Sequence, residues 1–477
     1  MKKYDKIYHV VLCKKIEIGQ KDIKGCIVMV LINPREVAAD ALTEITDLKA
    51  YSNITLRKYL RLNGAMPRRD KAFVTEIVNG TLRNLIFIDH ILNYYSQTQT
   101  EKMKPYILSV LRMSVYQVVF MDKVPDSAAC SEAVSLVKKR GLVFLSGFVN
   151  GLLRTVVRNK DSFELPEKGT REYISVKYSY PLWIVNMWLA KYDFETVEKI
   201  CIANNTAPDV CLCVNMLKTT PAELSKRFSK IGVTVKGGFY CDNAIHIKGS
   251  SNLAETEMYK VGMFHVQDES SMLAVSVLNP QPGQTVLDAC AAPGGKSFLI
   301  AQKMNNSGKV VSCDIHPHKI NLMNEMRDRL GIKMMDTRLR DASVVYDADA
   351  EKYDKVIIDA PCSGLGLIRK KPDIKTNKKG EDIDGLVQLQ AEILEASAKC
   401  VKVGGTLVYS TCTICKKENE LNVKKFLSNN SNFEIIDIKE YLPESLKEYP
   451  EDGMLQLLPG IHETDGFFIA AMRKNGH

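Results

Sequence analysis

The chain has 477 residues, with 65 lysines and arginines against 56 aspartates and glutamates, and 45% of it is hydrophobic. That length holds two or three domains of ordinary size, and the composition excludes a mainly disordered or fibrous chain. The net charge of +9 is uneven: residues 1–165 carry 26 basic and 16 acidic residues, whereas the other 312 carry 39 and 40. A basic front on a neutral remainder suggests a polyanion partner, most simply nucleic acid; an ordinary solvated basic surface is the competing reading. No apolar run reaches the roughly 18 residues that span a bilayer. The best candidate, Cys26 to Ile32, is far too short, and residues 1–25 lack a signal-peptide plan, so a cytoplasmic chain without membrane contact is expected. Of 13 cysteines, Cys130, Cys201, Cys211 and Cys400 sit in apolar runs, where a free thiol acts as a small hydrophobe. The single CxxC, Cys412 and Cys415, has no second pair and no nearby histidine, so no metal is expected.

Residues 1–28 are lysine-rich and weakly periodic; they read as an extension, with Met29 a candidate start of the folded chain. Asn33 then looks like an N-cap and Pro34 like a first helical residue. From there to about residue 158 the pattern stays helical. Phe73, Ile77, Val78 and Leu82 recur at helix spacing, as do Ile107, Leu111, Val115 and Val118, with Gly64, Pro67, Pro105, Pro125 and Gly141 as breakers. An all-α domain over 29–160 follows. Arg68 and Arg69 begin one of its helices, where the dipole gives cations no structural excuse. Asn159 to Thr170 reads as a linker.

A small α+β module is expected over 170–260. It starts at Tyr178-Ser-Tyr-Pro-Leu-Trp183 and has short strands near Val210–Val214, Val233–Val235 and Ala244–Ile247, with a helix from Pro221. Trp183 and Trp188 could stack on bases but read better as core. Over 261–477, strands at Thr285–Asp288, Lys309–Cys313, Lys355–Asp359 and Thr406–Ser410 alternate with helices, and Phe467–Met472 closes the pattern. Such alternation predicts an α/β fold with a doubly wound parallel sheet and helices on both faces.

Three turns carry chemistry. The first, Asp288-Ala-Cys290-Ala291-Ala292-Pro293-Gly294-Gly295-Lys296, joins a strand to a helix. Small residues let a ligand approach the backbone, and the helix start offers free N–H groups. It lacks the spacing of GxGxxG or of a Walker loop. Asp314, at the end of the next strand, is placed to hold ribose hydroxyls. The second and third turns are Asp359-Ala-Pro361-Cys362-Ser363-Gly364 and Ser410-Thr411-Cys412-Thr413. They set two cysteines on the edge where open α/β sheets bind ligands, which suits a nucleophile with a proton shuttle; buried thiols or a regulatory disulfide are the alternatives. Arg369, Lys370 and Lys371 follow closely and fit a phosphate clamp, against a solvated loop.

DACAAPGGK, DAPCSG and STCT, in this order, resemble the RNA 5-methylcytosine methyltransferases of the Sun/RsmB and NOL/NOP2 type. The likeness extends beyond them. Asn33-Pro34-Arg35-Glu36 and Asn79-Gly80-Thr81-Leu82-Arg83 resemble the NusB-like domain fused to bacterial members. Pro459-Gly460 and Asp465-Gly466-Phe467-Phe468 resemble the family's C-terminal signature. The resemblance implies a Rossmann-like S-adenosylmethionine (SAM)-dependent methyltransferase acting at C5 of a cytosine in 16S ribosomal RNA, free or partly assembled, as a monomer. It implies that Cys290 to Lys296 line SAM, that Asp314 holds its ribose and Asp341 its adenine side, and that Asp359 lies at the catalytic centre. Cys412 would be the nucleophile and Cys362 would assist release, as the base or by positioning a water. A protonated Asp359 near N3 would stabilise developing charge. Cys415 departs from the family pattern; it is read as idle, against a reversible disulfide with Cys412. The competing functions are the same chemistry on transfer RNA, a non-catalytic RNA-binding or assembly factor and, more distantly, an NAD-dependent oxidoreductase.

Overall fold

The first helix begins where its chemistry places it. Asn33 Oδ1 accepts from the amides of Arg35 at 2.9 Å and Glu36 at 3.4 Å, and Pro34 sits in the first turn. The computed structural model describes residues 32–248 and 253–476, so the extension at 1–28 and the start at Met29 lie outside the described residues. Helices Pro34–Asp47, Ser52–Leu62, Arg68–Arg83, Leu85–Tyr95, Pro105–Phe120, Asp126–Lys139 and Ser146–Arg158 enclose one apolar core, in which Ile77, Val78, Leu82, Leu111 and Val115 are buried. Gly80 is required by contact. A Cβ there would lie 2.0 Å from the Tyr116 ring, whose hydroxyl donates to Glu76 at 2.6 Å. The expected linker is strapped down rather than free: Phe163 and Leu165 pack on this core, and His90 Nε2 meets the Glu164 carbonyl at 2.7 Å.

The middle region opens with helices Arg171–Tyr178, Leu182–Leu189 and Phe194–Asn204. Trp188 is fully buried core, 5.4 Å from the Tyr180 ring, and Trp183 packs half-buried at the rim of the same cluster. Strands β1 (Val210–Val214), β2 (Thr234–Gly237), β3 (Ala244–Lys248) and β4 (Phe264–Val266) then form an antiparallel sheet in the order β2-β3-β1-β4. The helix Pro221–Lys230 covers one face with Leu224 and Phe228.

The large sheet contains β5 (Thr285–Asp288), β6 (Lys309–Asp314), β7 (Met335–Leu339), β8 (Tyr353–Asp359), β9 (Val401–Thr411), β10 (Phe433–Ile435), β11 (Met454–Leu457) and β12 (Phe467–Lys474). Its order is β10-β12-β9-β8-β5-β6-β7, with β11 also on β12. Alternate residues face two separate cores. Val286, Val310 and Ile357 lie on one side, against helices Glu269–Leu278 and Gly295–Lys303; Leu287, Val311 and Ile358 lie on the other, against Asp382–Ala398 and Glu420–Asn429. The strands β5 to β9 are parallel, but β12 runs antiparallel to β9, β10 and β11, so the sheet is mixed. The connection from β11 to β12 is too short for the crossover that a parallel pair needs.

The three regions meet at residues 373–377, just beyond the Cys362 turn. The buried Lys375 ammonium donates to the Arg83 carbonyl at 2.7 Å and to Asn205 Oδ1 at 3.1 Å, and Asn377 Nδ2 reaches the Lys49 and Ala50 carbonyls at 3.4 Å. Ser52 donates to Asp373. Burial lowers the Lys375 pKa to about 7.

Candidate active site

The turn after β5 is tight because its neighbours leave no room. Gly294 has φ +106°, and a Cβ there would lie 2.4 Å from the Phe298 ring. The helix Gly295–Lys303 starts directly beyond it and points its N-terminus over the carboxyl edge of the sheet. At the end of β5, Asp288 is fully buried; Oδ2 accepts from Ser297 Oγ at 2.6 Å, while Oδ1 has no partner. Burial raises its pKa to about 7. Asp314 at the end of β6 takes the His316 amide at 2.9 Å and faces Lys319 Nζ at 3.4 Å. Asp341, two residues past β7, accepts from the amide and hydroxyl of Ser343 at 2.9 and 2.7 Å. The Arg340 amide donates to the Asp314 carbonyl at 3.1 Å, which ties these two loops together. A helix start, two carboxylates on adjacent strand ends and an orphaned buried acceptor fit SAM. Residues Cys290 to Lys296 with Asp314 and Asp341 would hold it. Burial, then the charges of Asp288 and Asp359, push the Cys290 thiol well up, so it suits lining rather than attack.

The two turns at β8 and β9 converge. Cys362 Sγ lies 3.1 Å from Cys412 Sγ, and neither residue is fully covered. Strands β8 and β9 pair in parallel with Asp359 opposite Ser410, which brings their loops side by side. The hydrogen bond to Cys412, then burial, hold the Cys362 pKa well above the usual thiol value. Asp359 is ion-paired: Lys296 Nζ lies 2.7 Å from its Oδ2 and 5.1 Å from the Phe467 ring centroid.

Residues 275–473 match the family described as 16S rRNA methyltransferase RsmB/F, residues 32–158 the NusB family, and residues 180–254 the RsmF/B-like ferredoxin-like domain. The chain is 40% identical to a probable ribosomal RNA small subunit methyltransferase B of Bacillus subtilis, over 93% of this chain and 99% of that one. The chain belongs to the RsmB/F methyltransferase family. A Synechocystis protein of the same description is 30% identical over 93% of this chain and all of its own. Among solved structures, PH0851 superposes with a TM-score of 0.78 at 26% identity, covering 93% of this chain and 100% of that one. A methyltransferase homolog from Pyrococcus horikoshii gives 0.56 at 28%, covering 65% and 100%. The protein is thus a SAM-dependent RNA methyltransferase with a Rossmann-like fold and a NusB-like domain.

The other residues singled out in the sequence stand in different surroundings. Lys370 is no free phosphate ligand. It pairs with Asp268 at 2.7 Å and Asp465 at 2.6 Å; burial opposes its charge, but those carboxylates hold its pKa above the usual lysine value. Arg369 is half-buried with its Nε enclosed and unpartnered, whereas Lys371 is exposed. Arg68 and Arg69 are exposed at a helix start, without an ion pair among the described residues. Cys415 is buried in an apolar cluster with Ile184, Trp188 and Leu365, and its pKa rises to about 11 through burial; the sulfur facing Cys412 is that of Cys362.

Sequence reasoning missed a trio from three separate elements, Cys211, His246 and Glu269, whose ligand atoms lie within 4.8 Å of one another. Its carboxylate already takes four donors: His246 Nε2 at 2.6 Å and the amides of Phe239, Tyr240 and Cys241. No helix among the described residues is long and apolar enough to cross a membrane. One glycine of the C-terminal signature has a steric cause: a Cβ on Gly466 would lie 2.8 Å from Gly366 Cα, and one on Gly366 would lie 1.9 Å from the Gly466 carbonyl oxygen, so the two glycines admit the C-terminal loop to this edge.

Proposed function

We propose that the protein methylates C5 of a cytosine in small-subunit (16S) ribosomal RNA, free or partly assembled, through a covalent cysteine adduct, acting as a monomer. Residues 261–477 do the chemistry, the module at 170–260 joins them to the front, and 29–160 dock RNA. The observation that carries this reading is the pair of cysteines 3.1 Å apart on neighbouring strand ends, beside an aspartate–lysine pair. Cytosine C5 is a poor nucleophile within an aromatic ring. Attack of the Cys412 thiolate at C6 forms an S–C6 bond and makes C5 enamine-like. The Lys296–Asp359 pair hands a proton toward N3 and offsets the charge that develops there. When bound, SAM supplies the electrophilic methyl group. Cys362, or a water it positions, takes the C5 proton; the C5–C6 double bond reforms, the N3 proton returns to the Lys296–Asp359 pair and Cys412 leaves as thiolate.

The alternative nucleic acid is transfer RNA. Labelled SAM incubated separately with 16S rRNA and tRNA transcripts, followed by nucleoside analysis, separates the two. Labelled 5-methylcytidine from the ribosomal transcript supports the proposal. Label in another nucleoside, or in tRNA alone, overturns it.

A further inference from the structure

Glu418 and Asn419 follow the Cys412 turn, and the proposed chemistry leaves them without a task. Both are fully buried. A buried carboxylate is costly unless its oxygens are saturated with donors. Those of Glu418 are saturated, and nearly all of its partners flank the two cysteines. Oε2 accepts from the Ser363 amide at 2.8 Å and from Gln390 Nε2 at 3.0 Å; Oε1 accepts from the hydroxyls of Ser363 at 2.5 Å and Thr413 at 3.3 Å. Those hydroxyls also meet each other at 2.8 Å. Gln390 Nε2 donates in addition to the Pro361 carbonyl at 2.9 Å. Asn419 does the same for the other turn: its Oδ1 accepts from Thr411 Oγ1 at 2.6 Å and its Nδ2 donates to the Thr413 carbonyl at 3.0 Å. The residues on both sides of Cys362, and on both sides of Cys412, are therefore held by three neighbouring buried side chains.

We infer that Glu418 is a positioning residue: through Ser363 and Thr413 it buckles the two cysteine turns together and sets the distance between the thiols, with Gln390 and Asn419 holding the outer sides. Neither Glu418 nor its helpers touch the substrate. The inference rests on the covalent reading above for its catalytic consequence, but the spacing it describes can be measured without methyl transfer.

Glu418→Gln keeps the shape and turns one acceptor into a donor facing the Ser363 and Gln390 donors. The expected result has three parts. Turnover with labelled SAM falls at least about thirtyfold. Binding of SAM and of RNA stays within about twofold. Diamide, which takes up two electrons and two protons as the thiols join, forms the Cys362–Cys412 disulfide about tenfold more slowly by peptide mapping. Glu418→Asp, which keeps the charge, recovers part of both rates. If Glu418→Gln does not fold, the Ser363→Ala/Thr413→Val double variant decides, with the same two rates lowered severalfold. A folded Glu418→Gln protein, or failing that the double variant, that forms the disulfide within twofold of the parent rate overturns the inference whatever its turnover. Failure of the covalent reading looks different: Cys412→Ala would retain transfer, while Glu418→Gln would still slow disulfide formation.

Discussion

The carboxyl edge of the large sheet and the helical region at 34–158 are built on opposite principles. At the edge, polar side chains are buried and interlocked: Asp288 with Ser297, Lys296 with Asp359, Glu418 with both cysteine turns. In the helical region a large apolar core holds only scattered buried hydroxyls and amides besides Arg83, and the charges that could meet RNA, such as Arg68 and Arg69, stand exposed with no ion pair among the described residues. The difference follows from the task. Covalent chemistry needs atoms placed to within a fraction of an ångström, which a buried network enforces. Phosphate attraction needs only charge nearby, and many arrangements supply it. Changes at the edge should therefore abolish a step, whereas changes at the front should rescale binding.

The largest effect is expected at Cys412. Cys412→Ala should lose methyl transfer to 16S transcripts by at least about a thousandfold while binding SAM normally; turnover near the parent rate would remove the nucleophile from this residue. Cys362→Ala should still attack but release slowly, which would appear as an RNA–protein band on a denaturing gel under single-turnover conditions.

At the junction of the two regions, Lys375→Met leaves the Arg83 carbonyl and the half-buried Asn205 Oδ1 without this donor, a loss of roughly 1–3 kcal/mol at the buried carbonyl. Limited proteolysis should then release the helical region earlier; an unchanged digestion pattern would deny Lys375 that role. The same residue gives a pH signature. With its folded pKa near 7 and an ordinary lysine value of 10.5, the unfolded chain binds more protons between those limits. Stability contributed at this site therefore rises with pH from about 7 toward 10, and the variant should flatten that rise in thermal melts.

Smaller still is the front. Arg68→Ala/Arg69→Ala should weaken RNA binding about three- to tenfold at moderate salt and lower the salt slope by up to about two, with kcat unchanged; a drop in kcat would contradict the division of labour. Smallest is Cys415→Ser, which should leave activity and its sensitivity to peroxide as they were. Gained resistance would restore the redox role that its burial argues against.

What was legible in the sequence follows the same division. The helix start at Asn33, the strands β5, β6 and β8 and the three chemical turns are written locally, in capping residues, apolar runs and small-residue turns. Strand β7 escaped because it lies at the sheet edge, where Asp336, Thr337 and Arg338 leave it only two apolar residues. The antiparallel β12 escaped because strand direction depends on the length of a connection, not on periodicity. At the site, the cysteines and Asp359 could be named from their turns. The pairing of Lys296 with Asp359, of Lys370 with Asp268 and Asp465, and the buckle at Glu418 could not, because each joins residues far apart in the chain.

The covalent step is tested most directly by intact mass and peptide mapping of Cys362→Ala after reaction with SAM and a short 16S fragment. A methylated RNA adduct on the peptide carrying Cys412 is the expected result. An adduct on another residue, or full turnover with no adduct at any time, would contradict it.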